Sequence, residues 1–168
     1  MTATDLTTTA SGLRPFTVRG LPLLSDGTIT TPLAVADNVW VHAKVYSEGG
    51  ENSLHCHPNE DHGFFVLQGR ATFVDGEGNE TVVGPFEGML VPKGVLYRFE
   101  SGGGENLVML RFGGGQRTGT PEDRGSDAFP GPMMVRLDTE GRPQAGDAPE
   151  NRTASRPPVA VPGPGFQP

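Results

Sequence analysis

Gly49-Gly50-Glu51-Asn52-Ser53-Leu54-His55-Cys56-His57-Pro58-Asn59-Glu60-Asp61-His62-Gly63-Phe64-Phe65-Val66-Leu67-Gln68-Gly69 holds three of the four histidines in the chain, within eight consecutive residues. Side chains alternate between the faces of a strand, so His55 and His57 share one face while Leu54 and Cys56 take the other. Pro58 to Asp61 have the length of a hairpin loop, which predicts that His62 returns opposite the first pair and that three ring nitrogens converge on one point. Imidazole is the commonest protein ligand for Zn, Fe, Cu, Ni and Co. Surface histidines in a polar hairpin, or a core pair bonded to backbone carbonyls, would explain one such residue better than this cluster. The fourth histidine, His42, is expected to be an ordinary strand residue, with Trp40, Lys44 and Tyr46 as neighbours of like parity. Cys56, turned away from the flanking histidines, is expected to be an inert buried thiol.

Outward from this stretch the text is β-like. Strands are expected at 16–19, 28–31, 39–46, 53–57, 62–67, 71–74, 81–83, 88–91, 97–100 and 106–112. Turn signals separate them, among them Ser25-Asp26-Gly27, Gly49-Gly50, Asp75-Gly76-Glu77-Gly78-Asn79 and Ser101-Gly102-Gly103-Gly104. Many short strands with no helical period between them indicate an all-β antiparallel sandwich or small barrel. The 25 Gly and 16 Pro in 168 residues argue against an all-α fold. The domain is placed at 15–112, with its motif core at 39–112. Residues 1–14 read as a flexible N-terminal segment. Residues 113–168 contain 10 Gly and 10 Pro and read as an irregular or disordered C-terminal extension. Pro132-Met133-Met134-Val135-Arg136-Leu137 is the exception, apolar enough to dock as an extra strand or clamp.

Charge and composition narrow the partners. Twenty acidic against 13 basic side chains give a formal charge of -7, which repels nucleic acid and anionic membrane surfaces. No stretch has the roughly 18 apolar residues needed to span a bilayer. A single cysteine and a polar, Thr-rich start without a secretion signal lead us to expect a cytoplasmic protein.

With these residues in hand, the chain resembles the cupin superfamily, small β-barrels or jelly rolls that hold a metal inside the barrel. Gly49, His55, His57 and Gly69 fall in register with that family's first motif, and His62 stands at its glutamate slot. The second motif is partly present as Gly88-Met89-Leu90-Val91-Pro92-Lys93-Gly94-Val95-Leu96-Tyr97. Tyr97 stands at its histidine slot, Ser101 at its asparagine slot, and Gly88 lies two residues too close to Pro92. The resemblance spans roughly 39–112. It implies an antiparallel cupin barrel and one divalent transition metal held by His55, His57 and His62, with Fe ahead of Zn, Mn or Ni.

The departures from the motif have physical consequences. A divalent ion on three neutral imidazoles keeps its full charge, acts as a stronger Lewis acid and favours anionic substrates such as enolates or carboxylates. With three protein ligands, further positions stay open. Tyr97 is read as a phenolate ligand, a proton donor beside the metal or a packing residue. Gln68 shares parity with His62 on a regular strand and is a second candidate catalytic residue; the alternative is a strand-end residue bonded to backbone. Glu60 and Asp61 lie near enough to orient a ligating histidine, although turn acids are by default solvated. Phe64, Phe65, Val66, Phe73, Met89, Phe99, Met109 and Leu110 are expected to form the core, some of them walling a pocket.

Three functions follow as expectations. The first is a mononuclear non-haem iron dioxygenase acting on a small organic molecule. The second is a redox-neutral isomerase, cyclase or lyase using Zn, Mn or Ni. The third is a non-catalytic cupin that binds a metal or small ligand. A homodimer paired through edge strands is expected as well.

Overall fold

The computed structural model describes residues 12–36, 38–47, 54–115, 135–137, 143–144 and 158–168. Among these there are strands and no helix, so the antiparallel all-β expectation holds. No helix is long and apolar enough to cross a membrane. One sheet runs β2 (Thr28–Val35), β3 (Trp40–Tyr46), β10 (Leu107–Gly114), β5 (Asp61–Gln68), β8 (Gly88–Val91). The other runs β12 (Pro143–Gln144), β11 (Val135–Leu137), β4 (His55–Cys56), β9 (Tyr97–Ser101), β6 (Ala71–Asp75), β7 (Glu80–Val83). A separate ribbon pairs β1 (Leu24–Asp26) with β13 (Val159–Ala160).

Strand parity builds the interior. On β3, β10 and β5 the residues Tyr46, Leu107, Met109, Phe64 and Val66 pack in one buried cluster with Phe73, Tyr97 and Phe99 of the other sheet. Aromatic rings knit this core edge to face, Phe64 against Phe73 at 5.1 Å and Tyr46 against Phe99 at 5.6 Å between centroids. Residues of the opposite parity, Ala43, Val45 and Val108, form a second cluster with Leu21, Leu24 and Phe166. The outer face of the five-stranded sheet is therefore covered by chain from both ends. Phe65 and Leu110, expected in the core, pair with each other and are half-buried.

Turn chemistry agrees with the expectations. Asp75 closes the β6–β7 turn, its Oδ1 accepting from the backbone N–H groups of Glu77 and Asn79 at 2.8 and 2.9 Å. Gly69 ends β5 at φ +76°, where an added Cβ would stand 2.7 Å from the Asn106 carbonyl oxygen.

Three expectations are corrected. Residues 16–19 form no strand; Val18 instead packs against the outer cluster from an irregular segment. The histidine stretch is not a hairpin, because β4 and β5 belong to different sheets. Segment 113–168, expected to be irregular apart from 132–137, also pairs at its far end, where β13 adds to β1; within the exception β11 adds to β4 as an extra strand, in the register Val135↔Cys56 and Arg136↔His55. Near the end of the chain, Phe166 is buried, and backbone bonds tie it to Gly20 at 2.9 Å and Leu21 at 2.7 Å. Residues 1–11, Gly49 and the start of the stretch 53–57 lie outside the described residues.

Candidate metal and ligand site

β4 and its exit carry His55 and His57, β5 begins with Asp61 and His62, and β9 places Tyr97 opposite His55 in register. Because β4 and β5 lie in facing sheets, the rings meet across the interior. His57 and His62 are 3.9 Å apart between centroids, His55 and His57 5.1 Å, and His55 and Tyr97 4.5 Å. His55 and His62 are each 1 % exposed and Tyr97 is 4 % exposed. The three histidine rings are thus brought near one another without the predicted hairpin.

Hydrogen bonding assigns the tautomers. Glu60 Oε2 lies 3.2 Å from His62 Nε2, and a carboxylate only accepts, so His62 donates from Nε2. Its Nδ1 is then a lone pair facing inward, and Arg111 Nη2 donates to it at 3.0 Å. The same Nη2 donates to His57 Nε2 at 3.2 Å. Burial holds His62 below the ordinary imidazole value, with the Arg111 charge acting in the same direction and Glu60 opposing. His62 is therefore neutral at pH 7, and its contact with Glu60 is a hydrogen bond to a neutral ring rather than an ion pair. The Tyr97 hydroxyl stands 3.4 Å from His62 Nδ1.

Glu60 departs from the solvated default. Besides His62, its Oε2 accepts from Trp40 Nε1 at 3.3 Å, and the side chain is 13 % exposed. Asp61 stays exposed and accepts from the Lys93 backbone N–H at 2.8 Å. Gln68 is not brought to the cluster. A bulge between Val108 and Met109 places Gln68 opposite Val108, an outer-face residue, and its Nε2 donates to the Asn106 carbonyl at 3.3 Å. Cys56 is half-buried and carries no disulfide.

The structure adds Arg111, which sequence reasoning passed over, and turns His42 and Lys44 inward. Arg111 lies opposite His42 and Phe64 in register and shares the inward parity of Met109. Its guanidinium carbon sits 5.3 Å from the Trp40 ring centroid and 5.8 Å from that of Phe64. His42 likewise faces inward, its ring 4.7 Å from Trp40. Lys44 is buried on the same face, its Nζ 5.3 Å from the Tyr46 ring. The signal was available in strand parity: Trp40, His42, Lys44 and Tyr46 alternate, as do Leu107, Met109 and Arg111. Gly113 keeps this corner open, since a Cβ there would stand 2.5 Å from the Trp40 ring and 2.8 Å from the His62 ring.

Imidazole and carboxylate are donor types that suit a divalent transition ion, although among the described residues no three of His, Cys, Asp and Glu are grouped so that they could hold one. Two neutral imidazoles direct lone pairs at one point, a third buried imidazole lies beside them, and a carboxylate orients one ring through its far nitrogen. At that point stands the Arg111 Nη2, which donates to both rings. Tyr97 also borders a cavity of about 200 Å³ whose lining includes Asp75, Asn79 and Thr81 as well as Phe73, Met89 and Val91, and which none of His55, His57 and His62 lines.

Residues 44–112 match the family model described as Cupin domain. No curated protein matches the chain. Among solved structures, a Ralstonia eutropha JMP134 protein provisionally described as a mannose-6-phosphate isomerase has a TM-score of 0.52 at 19% identity, over 57% of this chain and 92% of its own. A Klebsiella pneumoniae protein with a double-stranded beta-helix domain gives 0.50 at 18% identity, over 64% and 81%. A conserved Streptococcus pyogenes protein of unknown function gives 0.50 at 16% identity, over 58% and 82%. At these identities the likeness is one of fold. Residues 44–112 of this chain therefore form a cupin domain.

Proposed function

We propose that this cupin is a metal-dependent enzyme acting on a small organic molecule, with His55, His57 and His62 holding one divalent transition ion. The observation that carries this reading is the gathering of three histidine rings at 3.9 and 5.1 Å between centroids, with Glu60 fixing the proton of His62 on the far side; an ion taken up there would displace the Arg111 Nη2 that donates to His57 and His62. When bound, such an ion supplies Lewis acidity and, as iron, electrons for dioxygen chemistry. Glu60 keeps the His62 lone pair directed inward. Tyr97, buried beside both His55 and His62, holds an exchangeable proton at its hydroxyl, with Phe64 and Phe73 packed against its ring.

Iron-dependent dioxygenation of a small molecule is the reaction we assign: His55, His57 and His62 would hold the ion, and iron would supply the dioxygen chemistry. The placement of the Tyr97 hydroxyl 3.4 Å from His62 favours a second reading, redox-neutral proton transfer in an isomerase, cyclase or lyase. Elemental analysis of protein purified without added metal, followed by oxygen-uptake assays with diketone and phenolic substrates, separates these readings. Iron with oxygen uptake supports the first. Zn, Mn or Ni with turnover but no uptake supports the second. Metal or ligand binding without turnover leaves a binding protein, and no metal at any stoichiometry with wild-type protein removes the proposal.

A further inference from the structure

Arg111 carries a full positive charge on a half-buried strand position. Its Nη2 donors go to two neutral rings, His57 and His62. Its Nε is buried and has no hydrogen-bond partner among the described residues. No carboxylate among the described residues lies at ion-pair distance from it, and Glu60, the acid at this cluster, directs Oε2 to His62 and Trp40 instead. A buried donor without an acceptor costs about 1–3 kcal/mol, and a cation withdrawn from water without a counter-charge adds to that cost.

The surroundings hold the guanidinium in place despite this. Trp40 and Phe64 flank it with aromatic faces, and the histidines fix one end of its plane. A planar cation, pre-oriented and lacking an anion, is complementary to a planar oxyanion that accepts parallel N–H bonds. Tetrahedral phosphate would call for donors converging from more directions than one planar fork provides.

We propose that Arg111 docks the carboxylate of a small organic acid, with Nε as one of its donors, and so sets the substrate class of the site. This deepens the proposed function, since it rests on the histidine cluster being the ligand site. Trp40 and Phe64 then position Arg111, and the acid is delivered beside His57 and His62.

The test uses the full chain, stripped of metal with EDTA and labelled with ¹⁵N. Malonate and benzoate are titrated against malonamide, benzamide and inorganic phosphate, read by calorimetry and by the arginine Nε–H resonances. Saturable binding of a carboxylate but not of its amide, with one Nε–H resonance shifting and vanishing in Arg111→Lys, is the expected result. Arg111→Lys and Arg111→Gln, checked for folding by circular dichroism, are expected to bind about tenfold more weakly or less, as loss of a charged hydrogen bond implies. The proposal is overturned if neither carboxylate binds, if both folded variants bind them as the wild type does, or if phosphate is preferred. Metal uptake is measured separately on wild-type protein. Carboxylate binding without metal uptake removes the metal reading and leaves this one; metal uptake without carboxylate binding does the reverse.

Discussion

His57 and His62 stand five positions apart on segments of different sheets, and their rings are 3.9 Å apart across the interior. Chain crossing from one sheet to the other therefore acts as the hinge of the site, and Glu60, the residue before β5, reaches back to hold the second ring.

Glu60→Gln keeps an acceptor for Trp40 and His62 but removes the charge that fixes the His62 proton on Nε2. Outer-shell partners of ligating histidines are worth about 10–100-fold in metal affinity. Competition with a chelating dye is expected to show a loss in that range with little change in melting temperature. An unchanged affinity would mean that His62 is not a ligand oriented by Glu60.

Gly113→Ala places a methyl group against the rings of Trp40 and His62. Overpacking of this kind costs about 1–3 kcal/mol. Trp40 is the single tryptophan in the chain, so its fluorescence reports on the displacement directly. Urea denaturation should show a lower midpoint, with an altered native-state emission. Wild-type emission and stability together would show that the corner is looser than described.

Acid weakens the fold through His62. Its folded-state pKa lies below the ordinary 6.5, so the unfolded chain takes up the proton first as the pH falls. The contribution is complete above 6.5 and is lost progressively as the pH drops from 6.5 toward the folded value. Metal-free protein should have a lower urea midpoint at about pH 5.5 than at about pH 7.5, and His62→Gln should flatten that slope. Asp75 acts in a separate window: the Asn79 side chain, bonded to its carboxylate, holds its pKa below 3.8, so its stabilisation is lost only in stronger acid.

Phe166→Ala tests whether the end of the chain belongs to the folded domain. Phe166 is 3 % exposed and packs with Leu21, Val45 and Val108 on the outer face of the sheet. A cavity of that kind costs about 3–5 kcal/mol, read as a shift in urea midpoint at constant slope. A shift within error would show that this segment dissociates freely.

Alternating apolar residues and closely spaced turns were enough to define an antiparallel all-β chain, and the density of histidines between 55 and 62 marked the site, because both signals are local. Strand parity also sent His62, Phe64 and Val66 to the same face. What parity does not contain is the identity of the pairing partner. Only the tertiary structure set β4 and β5 in opposite sheets, turned Gln68 outward through a bulge, and brought Arg111 to His62 from 49 positions away. Those outcomes depend on long-range hydrogen-bond register and on which faces exclude water together, quantities to which distant segments contribute jointly and which no single stretch of residues encodes.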